Sequence, residues 1–268
     1  MISVSSCLPA DNFMKKKYLY FLLALAVAVS LEGCKKSGVL ETATLNEYLP
    51  MQPGKYIHYR LDSTRFVDFG QRDSVISYDA RDMVEAAITD NQGRTSFRVV
   101  RSLRDLASTN EEDYVPMLTY MVTPTRENME VSENNLRFLK LKLPVTEGFF
   151  WRGNSYLPGT PYYAAYQFSN DEDINLWDYT YQQVNQSAEI NGNVYDSTVR
   201  ILQVADSSNV PIEFPDGLAY KNYWLEQYAK NVGLVYKEVI MWEYQPPNSG
   251  NPGFTSGFGI RLSIIDHN

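Results

Sequence analysis

From Tyr48 to Asn268 the chain is cut into short apolar and aromatic runs by clusters of Gly, Pro, Asn and Asp, and no stretch sustains a long helical period. Runs of this length, rich in β-branched and aromatic residues, fit strands. Val84–Thr89 and Thr95–Val100 flank Asp90-Asn91-Gln92-Gly93, and Ala188–Ile190 and Val194–Val204 flank Asn191-Gly192-Asn193. Each pair reads as two strands around a turn, the second with the Asn-Gly step that tight hairpins favour. Tyr56–Leu61, Leu136–Leu143, Leu234–Tyr244 and Phe258–Ile265 read as further strands. Pro144 ends the second of these, as a terminal proline does. Three Pro and three Gly mark Pro246–Gly257 as a loop. Tyr220–Lys230 and Leu40–Tyr48 read as short helices. The expected fold is all-β: a single large antiparallel domain of about ten strands, built as a curved sheet, open barrel or sandwich. The alternative is two lobes with a break near Pro144–Gly153.

Composition supports a packed core. Hydrophobic residues are 44% and charged residues 21%, which excludes a disordered chain. Twenty Tyr, twelve Phe and four Trp suit pleated surfaces. A formal net charge of −8 argues against a nucleic-acid partner, because phosphate recognition needs clustered Lys and Arg.

The N-terminus carries an export signal. Lys15, Lys16 and Lys17 precede the uncharged run Tyr18–Ser30, and Leu31-Glu32-Gly33-Cys34 follows. A basic cluster, an apolar stretch too short for a bilayer span of about 20 residues, and a small residue before Cys form a lipoprotein signal peptide over 1–33. Glu32 departs from the usual small or apolar residue of such a box. Met14 stands directly before the lysines and is the expected start. Cleavage places Cys34 first, carrying acyl chains such as palmitate, with residues 34–47 as a tether and 48–268 as the β-rich domain. Removing residues 1–33 leaves 235 residues with 21 Lys and Arg against 30 Asp and Glu. No free thiol remains, so no disulfide can hold the exported domain.

Catalytic and metal chemistry find little support. The two His are His58, between tyrosines of a strand, and His267 near the C-terminus. Neither stands beside a nucleophile motif, and no phosphate-cradling glycine motif is present. Two distant His and no thiol do not assemble an ordinary zinc site. Asp171-Glu172-Asp173 opens like a calcium loop but lacks the later Gly and Glu, and reads as a solvated acidic loop, as does Glu111-Glu112-Asp113. No catalytic, cofactor or metal-binding residue is therefore assigned. A carboxylate pair for glycan hydrolysis stays open, since 30 acids offer many pairs, although most fall in turn-like stretches. Trp151, Trp177, Trp224 and Trp242, with Tyr162, Tyr163 and Tyr166, are candidate ligand-contact aromatics; the competing reading is core packing.

Two segments carry a resemblance. Tyr48–Tyr59 (YLPMQPGKYIHY) resembles the Pro-x-x-x-Gly entry before two aromatics near the start of many small bacterial lipoproteins. Tyr228–Glu238 (YAKNVGLVYKE) resembles a strand entry near their end. Those proteins are uncharacterised lipoproteins of the Bacteroidota and relatives. The resemblance implies a β-rich, lipid-anchored envelope domain and brings no catalytic residues. Surface-displayed lipoproteins of that phylum carry acids after the lipidated Cys, whereas Lys35 and Lys36 follow here, implying an outer-membrane anchor facing the periplasm. Asp62-Ser63-Thr64, Asp73-Ser74-Val75 and Asp196-Ser197-Thr198 resemble O-glycosylation sites of exported Bacteroidota proteins, making Ser63, Ser74 and Ser197 candidate acceptors.

The leading expectation is a lipid-anchored, non-catalytic binding or scaffold domain with a protein or glycan partner. The alternatives are a carrier or sensor of an apolar ligand in a barrel cavity, and a carboxylate-based glycan hydrolase. A large apolar cavity favours the carrier, and an exposed apolar patch without a pocket favours the scaffold.

Overall fold

A computed structural model describes residues 44–168 and 173–268. The signal peptide, Cys34 and most of the tether lie outside the described residues.

Thr44 opens a single helical turn, α1 (Leu45–Tyr48), by donating its backbone N–H to Glu47 Oε1 at 3.1 Å. Twelve strands follow: β1 (Tyr56–Val67), β2 (Arg72–Thr89), β3 (Thr95–Asp105), β4 (Val115–Pro124), β5 (Asn128–Glu133), β6 (Leu136–Lys142), β7 (Phe150–Arg152), β8 (Asp178–Ile190), β9 (Asn193–Ser208), β10 (Ala219–Ala229), β11 (Gly233–Gln245) and β12 (Phe254–His267). A second helical turn, α2 (Tyr163–Tyr166), lies between β7 and β8. Leu45 and Tyr48 of α1 are buried, so the packed domain reaches into the segment read as tether.

All strands pair antiparallel in one sheet, ordered β6-β5-β4-β3-β2-β1-β12-β11-β10-β9-β8-β7. Every neighbour is also a neighbour in sequence except β1 and β12, which join the two halves along Ile57–Arg65. The edges β6 and β7 are themselves consecutive, so the sheet curls until they meet. Leu139 N–H donates to the Gly153 carbonyl at 2.8 Å across that gap. Trp151 Nε1–H donates to the Leu139 carbonyl at 2.8 Å, and the Tyr181 hydroxyl to the Lys142 carbonyl at 2.9 Å. The result is a nearly closed barrel. Residues 144–153 form this seam and do not separate two lobes.

The Asn191-Gly192 turn has φ of 52° and 79°, the left-handed pair that a tight hairpin demands. Tyr220–Lys230 is not a helix: Ala219–Ala229 is strand β10, paired with β9 and β11 along its length. Both of its faces are largely buried, which hides the two-residue alternation that would have marked a strand.

Candidate functional site: a barrel cavity with an ionic floor

The inward face of β10 carries Tyr228, Glu226 and Trp224 in alternate positions. Tyr228 belongs to the apolar cluster around α1, with Leu45, Tyr48, Val84 and Val99. Trp224 belongs to a separate cluster with Phe138, Val239, Met241, Phe168 and Ile174. Glu226 lies between the two. The same sequence of environments recurs on β3, where Val99, Arg101 and Leu103 follow one another at a spacing of two. Apolar packing at the α1 end thus gives way to a charged rank, and then to an aromatic chamber under the β7–β8 connection.

The charged rank is built from pairs. Lys140 Nζ of β6 meets Glu226 Oε1 at 2.8 Å, and the Tyr228 hydroxyl donates to Glu226 Oε2 at 2.8 Å. Arg101 grips Asp82 with two bonds of 2.6 Å, and the Tyr120 hydroxyl adds a third of 2.9 Å. Lys237 of β11 approaches Glu226 at 3.7 Å, beyond hydrogen-bonding distance. Burial would lift the Glu226 carboxyl, but Lys140, Lys237 and the Tyr228 hydroxyl outweigh it and hold Glu226 below the usual range. Burial lowers the Lys140 pKa, and Glu226 offsets only part of that. Burial would likewise lower Arg101, yet Asp82 holds its pKa well above the ordinary value.

Above this rank lies a cavity of about 550 Å³. Arg101, Lys140 and Lys237 reach it from below, and Phe138, Trp224, Val239, Phe258 and Ile260 form its walls. Tyr162 and Tyr166 cover it. Tyr162 packs 6.0 Å from the Trp224 ring and 5.6 Å from Phe258, and Tyr166 lies 5.2 Å from Phe258. At the rim stand Glu133, at the end of β5, and the exposed Asn134 and Met117. The Trp224 indole Nε1–H is buried with no hydrogen-bond partner among the described residues.

The four tryptophans do not converge into a platform. Trp151 is 4% exposed and packs against Tyr181 at 4.7 Å and Tyr179 at 5.8 Å; it is a seam residue, closed to any ligand. Trp224 lines the cavity, and Trp177 backs it edge-on at 5.3 Å. Trp242 is half-buried on the face of β11 opposite Met241 and Glu243. Of the companion tyrosines, Tyr162 and Tyr166 cover the cavity and Tyr163 is exposed.

Ser63 is buried within β1, with strands on both sides, so the folded domain offers no glycan acceptor there. Ser74 and Ser197 are half-buried. His58 packs between Tyr56 at 5.1 Å and Tyr114 at 5.9 Å, and its pKa is lowered chiefly by burial. The acids are not confined to turns: Asp79, Asp82, Glu130, Glu226 and Glu243 are buried in strands. Among the described residues, no group of three or more His, Cys, Asp and Glu is placed to hold a metal.

Sequence reasoning missed Arg101, Lys140 and Lys237. The signal lay in period two: Phe138 and Lys140 share a face of β6, as do Lys237 and Val239 on β11. A lysine in register with core residues marks an inward charge.

No protein-family model matches the chain, and no curated protein matches it in sequence. Among solved structures it is similar to a Bacteroides fragilis protein with a YmcC-like fold, at 11% identity and a TM-score of 0.35, over 82% of this chain and 99% of that one. It is also similar to LprF from Mycobacterium bovis, at 12% identity and a TM-score of 0.22, over 80% of this chain and 85% of that one.

Proposed function

We propose that this protein is an envelope lipoprotein, held to a membrane by lipid on Cys34, whose barrel carries an apolar ligand without reacting with it. The cavity is the observation behind this reading. At about 550 Å³ it falls within the roughly 300–1,000 Å³ typical of small-molecule sites, with mainly apolar walls and a few polar groups. The anchor rests on the basic cluster, apolar run and Cys34 box, and Lys35 and Lys36 favour an outer-membrane attachment facing the periplasm.

A non-catalytic role fits the electrostatics. A glycan hydrolase of the two-carboxylate kind needs one carboxyl lifted to act as an acid. Glu226, the carboxylate buried beneath the cavity, is held down. A scaffold role would instead use loop tips such as Phe69 and Phe214, which are 97% and 70% exposed.

The test is to purify the protein from its own membranes, extract it with organic solvent and identify what co-purifies by mass spectrometry. A single class of apolar molecule is expected, displaced by a fluorescent apolar probe. An empty barrel that takes up no such probe would instead support the scaffold role.

A further inference from the structure

Two residues that line the cavity, Trp224 and Lys237, carry donors with no acceptor at hydrogen-bonding distance among the described residues. The Trp224 indole N–H is buried and unpartnered among the described residues. Among the described residues the carboxylate within 4 Å of the Lys237 ammonium is Glu226, at 3.7 Å, and that Glu226 oxygen already takes Lys140 at 2.8 Å. The Lys237 side chain is 17% exposed. Trp224 pairs in register with Val239, and Lys237 lies two residues from Val239 on the same face. The two donors are therefore diagonal neighbours, about 7–8 Å apart at their Cα atoms. A buried donor left unpaired is costly, so an acceptor placed between them stabilises the site.

We infer that the ligand is a single-chain amphiphile with an anionic head, such as a long-chain carboxylate, its head between Lys237 and the Trp224 N–H and its chain along Phe138, Phe258 and Ile260. This rests on the carrier reading and specifies its ligand. A carboxylate has two oxygens for two donors and a charge for the ammonium, whereas an alcohol offers one oxygen and no charge. The surrounding charges fit. On the floor, Arg101 is taken up by Asp82 and Lys140 by Glu226, so Lys237 is the cation left for the ligand. Glu133, at the rim, carries a negative charge that opposes an incoming anion.

The test uses the full chain in isolated membranes. Photoreactive hexadecanoic acid and the matched hexadecanol are each irradiated with it, and the labelled peptides are mapped by mass spectrometry. Labelling of β6, β10 and β12 by the acid is expected to exceed that by the alcohol at least tenfold. Unlabelled acid should compete, Lys237→Gln should abolish the preference, and Trp224→Phe should reduce it while keeping the ring. Glu133→Gln should raise labelling by the acid. Equal labelling of these strands by both probes, or an unchanged preference in Lys237→Gln and Trp224→Phe, overturns the anionic head and leaves the carrier standing. No labelling of these strands by either probe overturns the carrier reading itself.

Discussion

Lys140 of β6 and Glu226 of β10 meet at 2.8 Å inside the barrel, although 86 residues separate them in the chain and their strands are not neighbours in the sheet. They span the interior. Their side chains are only 7% and 2% exposed. Two charges drawn out of water gain little net stability from each other, so the pair is a poor staple but a strong constraint. It positions two strands that share no ladder and forms the floor on which the cavity stands.

Glu226→Gln leaves Lys140 buried without a counter-charge, and should destabilise the fold by roughly 3–5 kcal/mol. Replacing both residues with Met should restore stability to at least that of the parent. Urea titration of the single and double variants measures both. A double variant no more stable than Glu226→Gln would show that the loss does not come from a buried Lys140 left without its counter-charge.

The seam gives a second expectation. Trp151 bonds the Leu139 carbonyl and stacks on Tyr181, while the Gly153 carbonyl takes the Leu139 N–H. Trp151→Phe removes the indole bond and should cost about 1–3 kcal/mol through the unpaired buried carbonyl. Trp151→Ala adds a cavity and should cost about 3–5 kcal/mol. In both, hydrogen exchange should rise first at the Leu139 amide. Exchange that rises uniformly along the chain would mean the seam is no weaker than the rest of the barrel.

The hairpins were readable because their cause is local: Asn191-Gly192 needs a left-handed backbone, and those two residue types supply it. The β character of the chain was readable for the same reason. The closure was not, because it depends on Tyr181, Trp151 and Leu139 meeting across a seam that no short-range pattern encodes. β10 was misread because Trp224, Leu225, Glu226, Gln227 and Tyr228 are all buried, leaving no polar face to alternate with. The site suffered from the neighbouring bulges, at Gln203 on β9 and Val235 on β11. Each bulge shifts which residues share a face with β10, so counting by twos across it points the wrong side chains inward. Four tryptophans therefore looked equivalent in sequence, whereas one lines the cavity and another closes the seam.

The anchor is tested at Cys34. Cys34→Ala should shift the protein out of the membrane fraction while its thermal unfolding is unchanged. Retention in the detergent phase to the same extent as the parent would mean that lipid on Cys34 is not the anchor.

The last expectation concerns alkaline pH. Tyr59, Tyr179 and Tyr228 are 1%, 0% and 3% exposed, and burial drives the pKa of each well above the ordinary 10.0. Each hydroxyl donates a hydrogen bond: to the Leu234 carbonyl at 2.9 Å, Asn154 Oδ1 at 2.6 Å and Glu226 Oε2 at 2.8 Å. Ionisation would remove the donor and bury an anion. In the unfolded chain the same groups ionise near pH 10. Their folded pKa is raised, so their contribution is fully present below about pH 10 and is lost as pH rises toward the folded value. Above pH 10 the native state holds more protons than the unfolded state, and each such group adds a fall of roughly 1.4 kcal/mol per pH unit; burial raises Tyr120, Tyr162 and Tyr181 in the same sense. Lys140 acts in the opposite sense, since its folded pKa is lowered, but its unfolded-state proton is gone above about pH 10.4 and it adds no slope beyond that. Urea midpoints between pH 9 and 11.5, read beside tyrosinate absorbance, should show a steep loss of stability that precedes ionisation of these three rings. Tyr59→Phe should reduce the slope by roughly 1.4 kcal/mol per pH unit, one raised group having been removed. A slope unchanged in Tyr59→Phe, or native-state ionisation of Tyr59, Tyr179 and Tyr228 near pH 10, would show that the interior is open to water.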